Sequence, residues 1–182
     1  MYIEETRIKL KDGREAVLRS PTVDDAQTMI DYVIQSSGET DFLMRYPEEY
    51  SGLTLEFEQQ LLQSNIDNPA GAMISCFVDD KAVASCMINI NTNIKSKHRA
   101  SVAIAVLQDY WNQGIGTQLM NALFEIAKGK EVQQIELEFI EGNTRARALY
   151  EKLGFRITGV KYDAIKLKDG TLLNEYMMIK KL

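Results

Sequence analysis

The chain contains few of the residues that hold metal ions or cross-link small domains. Its 182 residues include two cysteines, Cys76 and Cys86, and one histidine, His98. There is no CxxC pair and no Cys/His cluster, so we expect no zinc site. A Ser-His-Asp triad would depend on His98, and no nucleophile-elbow motif accompanies it. We expect both cysteines to be free, buried thiols of a protein in the reducing cytoplasm.

The chain also lacks long hydrophobic runs, and its acidic residues outnumber its basic ones. No apolar stretch approaches the length of a membrane span, and the first residues, MYIEETRIKLKDG, are charged throughout and unlike a signal peptide. The net charge of -5 argues against a protein that binds nucleic acid by neutralising phosphates. We therefore expect a cytoplasmic protein with neither membrane nor nucleic-acid partners.

The overall composition is typical of one globular domain. The chain is 45% hydrophobic and has only three prolines, and its length allows a large core without cross-links. No linker or shift in composition divides it. We predict a single domain over residues 1–182.

A strand, a glycine-containing turn and a helix follow one another within residues 102–127. Residues 102–107 are a short apolar run rich in β-branched side chains, which predicts a buried strand. From Ile115 to Ile126 the apolar residues recur at helical spacing, which predicts an amphipathic helix. Gly114 and Gly116 lie where this helix begins.

These two glycines have two physical explanations. A first turn without side chains exposes unpaired N–H groups at the positive end of the helix dipole, where a phosphate can bind. Alternatively, Gly114 makes the turn and Gly116 allows the helix to pack closely on the sheet. The motif is not a dinucleotide-binding GxGxxG, because Leu119 stands at the third glycine position, and no GK[ST] follows as in a Walker loop. Both explanations stay open at this level.

The rest of the pattern predicts an α/β protein with a mixed sheet. Two hairpin patterns lie within residues 6–18 and 73–90, and helices are predicted after Thr22 and after Thr54. A strand pattern over residues 135–139 follows the central helix. A strand-helix-strand unit of this length predicts a right-handed crossover between two parallel strands. A helix over residues 144–153, with Asn143 as its N-cap, and a final hairpin complete the chain.

Two stretches resemble the signature of one enzyme family. YWNQGIGTQLM is similar to the acetyl-CoA loop of the GNAT acetyltransferases, and EGNTRARALYEKLGF is similar to the segment that follows it, with Asn, Tyr and Gly-Phe at the same spacing. The order of predicted elements on both sides also fits. The resemblance implies the GNAT fold, a mixed and mostly antiparallel sheet whose central parallel strands separate around the cofactor, with helices on both faces.

The resemblance implies acetyl-CoA as cosubstrate and no metal. The pantetheine arm would lie between the separating strands and the pyrophosphate on the amides of the glycine turn, while Arg145, Arg147 or Lys152 could reach the phosphates. The family's loop usually has Arg or Gln where this chain has Trp111, so we expect Trp111 to pack and to provide no phosphate contact. The implied cofactor-binding residues are Val106, Leu107, Gln113, Gly114, Ile115, Gly116, Thr117 and Asn143.

The same resemblance makes Tyr150 the candidate acid that protonates the departing thiolate. From the helix pattern alone, Tyr150 would be a core aromatic. A backbone N–H near Val106 or Leu107 would stabilise the oxyanion.

The general base is not determined by the sequence. Many GNAT enzymes carry a glutamate early on the central strand, and this chain has Ala100 at about that place. His98, Glu39, Asp41 and a water chain leading to the solvent are the alternatives.

The implied activity is N-acetylation of a primary amine. Between Glu39 and Glu58 there are six acidic residues and a single cation, Arg45. We interpret them as a surface that attracts a small cationic amine, such as a polyamine, an aminoglycoside or an amino-acid derivative. A solvated helix face is the simpler explanation.

Two other functions remain as alternatives at this level. One is acetylation of a protein N-terminus, as in the ribosomal-protein acetyltransferases, and the other is a CoA-binding regulatory module without turnover. Pairing of edge strands between subunits predicts a homodimer.

Overall fold

The computed structural model describes residues 1–182. It contains an eight-stranded sheet and four α-helices. In chain order the elements are β1 (Thr6–Lys9), β2 (Glu15–Arg19), α1 (Ala26–Gly38), α2 (Leu55–Asp67), β3 (Gly71–Val78), β4 (Lys81–Ile90), β5 (Arg99–Val106), α3 (Ile115–Gly129), β6 (Gln134–Ile140), α4 (Thr144–Lys152), β7 (Arg156–Lys166) and β8 (Leu172–Lys181). Short 3-10 helices lie at Val23–Asp25, Pro47–Tyr50 and Gln108–Tyr110.

The sheet is mixed, with one parallel pair at its centre. The strand order is β1-β2-β3-β4-β5-β6-β8-β7, and every neighbouring pair is antiparallel except β5 and β6. Helix α3 connects these two strands, as the crossover pattern predicted. The predicted fold class is confirmed.

Adjacent residues of β4 show that α1 and α3 cover opposite faces of the sheet. The Ser75 hydroxyl donates to Ser85 Oγ at 3.0 Å and also lies 3.7 Å from the sulfur of Met29 in α1. The thiol of Cys86, the next residue, lies 3.9 Å from the Leu119 carbonyl oxygen in α3. Because successive strand residues point to opposite faces, the two helices lie on opposite sides.

The core contains both cysteines as free thiols, as predicted. In the β3–β4 register Cys76 lies opposite Ala84, and Cys86 lies opposite Ile74, so the two sulfurs do not face each other. Burial raises the pKa of the Cys76 thiol to about 12. This thiol is therefore protonated and unreactive at neutral pH.

Helix α2 buries only one of its leucines. Leu62 is fully buried, whereas Leu55 and Leu61 are exposed, and the carboxylic residue Glu58 is buried beside Leu62. Burial raises the pKa of the Glu58 carboxyl. The helix packs on α1 and on β3 near one side of the sheet, so only a narrow strip of its surface is covered. None of the helices has both the length and the apolar character needed to cross a membrane.

Candidate active site

The parallel strands β5 and β6 pair over a short distance and then separate. Their register runs from Arg99 opposite Gln134 to Ser101 opposite Glu136 and goes no further. Beyond that point β5 stays paired with β4 as far as Val106, while β6 stays paired with β8. The two central strands therefore enclose a gap that opens toward their C-terminal ends.

The backbone amide of Val106 in β5 faces this gap. In antiparallel pairing, successive residues direct their N–H and C=O groups to opposite sides of the strand. Leu107 N–H donates to the Val83 oxygen of β4 at 2.9 Å, so the N–H and C=O of Val106 point away from β4 and into the gap. The Val106 oxygen accepts the indole N–H of Trp111 at 2.8 Å. Of the two amides expected as oxyanion donors, only that of Val106 remains available.

The turn between β5 and α3 presents a series of free amides. None of the backbone N–H groups from Gln113 to Thr117 donates a hydrogen bond within the protein. The first N–H of this region that does so is that of Gln118, which donates to the Gly114 oxygen at 3.1 Å. These groups lie at the positive end of a 15-residue helix. Such an arrangement can hold a pyrophosphate.

Each of the two explanations for the glycines has support in this turn. Gly114 has a φ of 89°, which only glycine adopts without strain, and a Cβ added there would meet no atom within 4 Å. A Cβ at Gly116 would lie 3.1 Å from Leu149 Cδ2 and 3.8 Å from Ile104 Cδ1. Gly114 therefore makes the turn and leaves open space beside the amides, whereas Gly116 allows α4 and β5 to approach the start of α3.

Arg145 is a cation that lies against this turn. Its guanidinium donates to Asn112 Oδ1 at 2.9 Å and stacks on the ring of Trp111, 4.2 Å from the centroid. Trp111 is thus held between the end of β5 and the side of α4. Arg147 instead forms an ion pair with Glu151 at 2.8 Å. Of these two arginines, Arg145 is therefore the one placed beside a phosphate bound at the turn.

Tyr150 lies on the buried side of α4. Its ring centroid is 6.3 Å from that of Phe139 and 5.9 Å from that of Phe155, and the residue is 6% exposed. Its hydroxyl has no hydrogen-bond partner in the protein. Since no fully buried side-chain oxygen lacks a partner, this hydroxyl reaches solvent-accessible space. Burial raises the pKa of Tyr150 to about 12, so the hydroxyl is protonated at neutral pH.

Asn143 stands between the end of β6 and the start of α4. Its side-chain oxygen accepts the Ala146 N–H at 3.1 Å, which makes it the N-cap of α4, as predicted. An asparagine amide also carries an NH₂ group with two donor hydrogens. This group is free to bind a ligand beside the β6 side of the gap.

His98 is far from the gap. It precedes β5, and its carbonyl oxygen accepts the Gln133 N–H at 2.8 Å. Its side chain lines a polar cavity together with Lys130, just beyond the C-terminal end of α3. The free-amide turn is at the other end of α3, about 22 Å away for a 15-residue helix. The structure therefore gives no support to His98 as the base.

The connection between α1 and α2 passes over the open end of the gap. We call residues Glu39–Tyr50 the crossing segment. At its start the Glu39 carboxylate accepts the Gln108 N–H at 2.7 Å, directly after β5. Phe42 lies against Gly142, directly after β6, 3.4 Å from the Cβ position of that glycine. The crossing segment thus bridges the ends of both central strands.

The other end of the crossing segment is attached to the β7–β8 hairpin. The Tyr46 hydroxyl accepts the Lys168 N–H at 3.3 Å, and the Lys168 ammonium lies 4.0 Å from the centroid of the Tyr46 ring. The same ammonium forms an ion pair with Glu48. Lys168 belongs to the turn between β7 and β8. One side of the gap is therefore enclosed by a loop and a hairpin that touch each other.

Several of the six acidic residues between Glu39 and Glu58 are not available to bind a substrate. The carboxylates of Glu39 and Glu48 are bonded within the protein, and Glu58 is buried. Asp41 is exposed and has no hydrogen-bond or ion-pair partner. Of the side chains considered as bases, it is the one still available in the crossing segment.

Comparison with known families identifies this arrangement. Residues 36–155 match the Acetyltransferase (GNAT) family, and this range contains the gap, the free-amide turn and Tyr150. The chain belongs to the GNAT acetyltransferase family. One relative, an N-alpha-acetyltransferase of Saccharolobus solfataricus, is 31% identical over 153 residues, which cover 79% of this chain and 82% of that protein.

Solved GNAT structures have the same fold. The acetyltransferase of the GNAT family from Streptococcus pneumoniae aligns with a TM-score of 0.84 at 23% identity, covering 92% of this chain and 99% of that one. A GNAT phosphinothricin acetyltransferase from Sinorhizobium meliloti, solved in complex with acetyl-CoA, aligns with a TM-score of 0.77 at 16% identity, covering 92% and 88%. The protein is accordingly an acetyl-CoA-dependent acetyltransferase.

Three residues near the site were not identified from the sequence. Phe42 and Lys168 bridge segments that are distant in the chain, and no local pattern marks them. Tyr32 of α1 is buried against the sheet. It lies three residues after Met29, on the apolar side of the helix, and this spacing could have predicted its burial.

Proposed function

We propose that this GNAT enzyme transfers the acetyl group of acetyl-CoA to the primary amine of a small cationic molecule. The supporting observation is the enclosed side of the gap, where the crossing segment touches the hairpin turn at Lys168. An enclosed acceptor site favours a compact amine over an extended polypeptide. The exposed Asp41 and the net charge of -5 favour a cation.

In this proposal the chain provides binding and polarisation. Acetyl-CoA supplies an activated acetyl group as a thioester. The amides from Gln113 to Thr117 and the side chain of Arg145 bind the pyrophosphate, and the NH₂ group of Asn143 holds the pantetheine arm. Val106 N–H donates to the carbonyl oxygen as it becomes negative. Leu107 follows Val106 at the same end of the strand, but its own N–H is already bonded to Val83 of β4.

Tyr150 is better suited to donate a hydrogen bond to the leaving sulfur than to give up its proton. Its pKa is raised to about 12, whereas that of a thiol is about 8.5. Complete proton transfer from this hydroxyl to a thiolate would therefore be uphill by about 5 kcal/mol. A hydrogen bond to the developing thiolate avoids that cost and still stabilises the leaving group.

The attacking amine must be unprotonated. Asp41 is the side chain that we propose as the proton acceptor, with a chain of waters to the solvent as the alternative. Placing the amine and the thioester together in the gap supplies a large part of the rate by itself.

A second candidate substrate is a polypeptide N-terminus. The Saccharolobus solfataricus relative is named an N-alpha-acetyltransferase, and it matches most of this chain. An N-terminal substrate would require the crossing segment and the hairpin to separate at Lys168.

A panel of amines tests the proposal. Free thiol release is measured with a polyamine, an aminoglycoside, an amino-acid amide and a peptide with a free N-terminus, and an N-blocked peptide serves as control. We expect kcat/KM to be at least about tenfold higher for the best small cation than for the peptide, a ratio equal to about 1.4 kcal/mol. A higher value for the free-N-terminus peptide would replace the proposal by the second candidate.

Three further expectations remain proposals for this enzyme. They are a single domain over residues 1–182, a homodimer formed through an edge strand, and residence in the cytoplasm. Sedimentation equilibrium tests the second, because a 20.7 kDa chain should then sediment at twice that mass.

A further inference from the structure

We propose that Tyr32 of α1 is a positioning residue for the cofactor-binding end of β5. Its hydroxyl occupies one rung of the β4–β5 ladder and so sets the direction of the neighbouring Val106 amide. The inference rests on the proposed function in one respect, namely that the pantetheine arm lies along the end of β5.

The hydroxyl of Tyr32 joins two strands that would otherwise bond directly. Ser85 of β4 lies directly opposite Ala105 of β5 in the register. Ser85 N–H donates to the Tyr32 oxygen at 3.1 Å, and the Tyr32 hydroxyl donates to the Ala105 oxygen at 2.9 Å. A hydroxyl carries one donor hydrogen and two acceptor lone pairs, so it satisfies both backbone groups.

This insertion affects the strand locally. At the next hydrogen-bonded rung, Leu107 N–H reaches the Val83 oxygen directly at 2.9 Å. Strand β5 is therefore linked to β4 through the Tyr32 hydroxyl at Ala105 and by a direct backbone bond at Leu107. Val106 lies between these two points, so in this proposal both contacts set the direction of the peptide group that faces the gap.

A second contact from the same helix holds the strand end on the other side of Val106. Glu39 is the C-cap residue of α1, and its carboxylate accepts the Gln108 N–H at 2.7 Å. The other carboxylate oxygen accepts from the Gln35 side chain at 2.9 Å. Helix α1 and its C-cap residue thus contact the chain directly before Val106, at Ala105, and two residues after it, at Gln108. Because Tyr32 is buried, at 5% exposed, its two hydrogen bonds are protected from competing water.

The variant Tyr32→Phe removes the hydroxyl and keeps the ring. Ser85 N–H and Ala105 C=O can then close on each other, which draws β5 toward β4 and away from β6. The matched control is Ser75→Ala, which removes a buried hydroxyl from the same layer between α1 and the sheet without touching β5.

Two ligands distinguish a local change at the end of β5 from damage to the whole cofactor site. Acetyl-CoA reports on the whole cofactor site, and 3′-phospho-ADP, the nucleotide part of coenzyme A, reports on the turn at α3 alone. By calorimetry we expect Tyr32→Phe to raise the Kd of acetyl-CoA about three- to tenfold, the effect of one hydrogen bond. The Kd of 3′-phospho-ADP should stay unchanged, and Ser75→Ala should change neither value.

The possible failures are distinguishable. If Tyr32→Phe leaves the Kd of acetyl-CoA unchanged, or weakens both probes equally, the positioning role of Tyr32 is wrong. If wild-type protein binds acetyl-CoA no more tightly than 3′-phospho-ADP, the pantetheine arm makes no useful contact with β5. That result would overturn the placement in the proposed function and the role of Tyr32 with it.

Discussion

The hydroxyl of Tyr150 is the side-chain donor that we propose for the leaving sulfur. It is surrounded by aromatic rings and has no partner within the protein. In the variant Tyr150→Phe we expect kcat to fall about 10- to 100-fold, the effect of losing one hydrogen bond to a charged group. Thiol-release kinetics measure this loss.

Measuring acetyl-CoA binding distinguishes a loss of catalysis from a loss of cofactor affinity. Since the ring is kept, the Kd of acetyl-CoA should change less than about threefold. Unchanged kcat in Tyr150→Phe would remove Tyr150 from the mechanism.

Ionisation of Tyr150 also links folding to pH. Its folded pKa of about 12 lies above the value of about 10 for an unfolded tyrosine. The folded state therefore favours the protonated hydroxyl. The contribution of this group to the free energy of unfolding is complete below pH 10 and is lost as the pH rises toward 12. We expect about 1.4 kcal/mol of the free energy of unfolding to be lost from this group between pH 9 and pH 11.

Urea unfolding at these two pH values measures the loss, and Tyr150→Phe is the comparison. The variant should lose less stability than wild type by that amount. Equal losses in the two proteins would show that Tyr150 ionises as readily in the folded state as in the unfolded state.

At the scale of secondary structure, Gly114 at the start of α3 has two roles. It makes the turn, and it leaves space for a phosphate beside the free amides. Gly114→Ala should destabilise the fold by about 1 kcal/mol, because φ is positive there. Gly170→Ala is a matched control, since Gly170 has a φ of 90° and the same open surroundings. Both variants should lose similar stability by urea unfolding.

Binding should distinguish these two variants. Only Gly114→Ala should weaken acetyl-CoA, because only its new methyl group enters the free-amide turn. Equal acetyl-CoA affinities in the two variants would contradict a pyrophosphate site at this turn.

In the proposed function, the contact between the crossing segment and the β7–β8 hairpin limits the size of the acceptor. Lys168→Ala removes the ion pair with Glu48 and the contact with the Tyr46 ring. We expect kcat/KM for a peptide amine to rise relative to that for a small amine, because the enclosed side opens. Lys128→Ala, which removes an exposed ion pair with Glu125 on α3, is the control. A ratio unchanged in Lys168→Ala would mean that this contact does not limit access.

For the whole molecule, acetyl-CoA should stabilise the folded state by mass action. At about one hundred times its Kd, a ligand that binds only the folded protein adds roughly 2.7 kcal/mol, which raises the Tm of a domain of this size by several degrees. A thermal scan with and without acetyl-CoA measures the shift. The absence of any shift in wild type would contradict the cofactor site as a whole.

The sequence by itself determined the elements and the family. Periodicity, turn residues and helix caps act over a few neighbours, so the strands, the helices and the N-cap Asn143 could be predicted from local pattern. The glycine turn and the segment around Tyr150 are likewise continuous stretches. The parallel pair followed from the strand-helix-strand order, because a helix of this length crosses over the sheet and lets the second strand run in the same direction as the first.

Only the tertiary structure decided which groups are free to act. Glu39 could be counted as an acid from the sequence, but its bond to Gln108, 69 residues away, could not be predicted from local pattern. The contact of Tyr46 with Lys168 spans 122 residues. His98 directly precedes β5, but its distance from the gap depends on where β5 and β6 separate. Which amide of β5 is unpaired depends on strand register, and register is set by the packing of all the strands together.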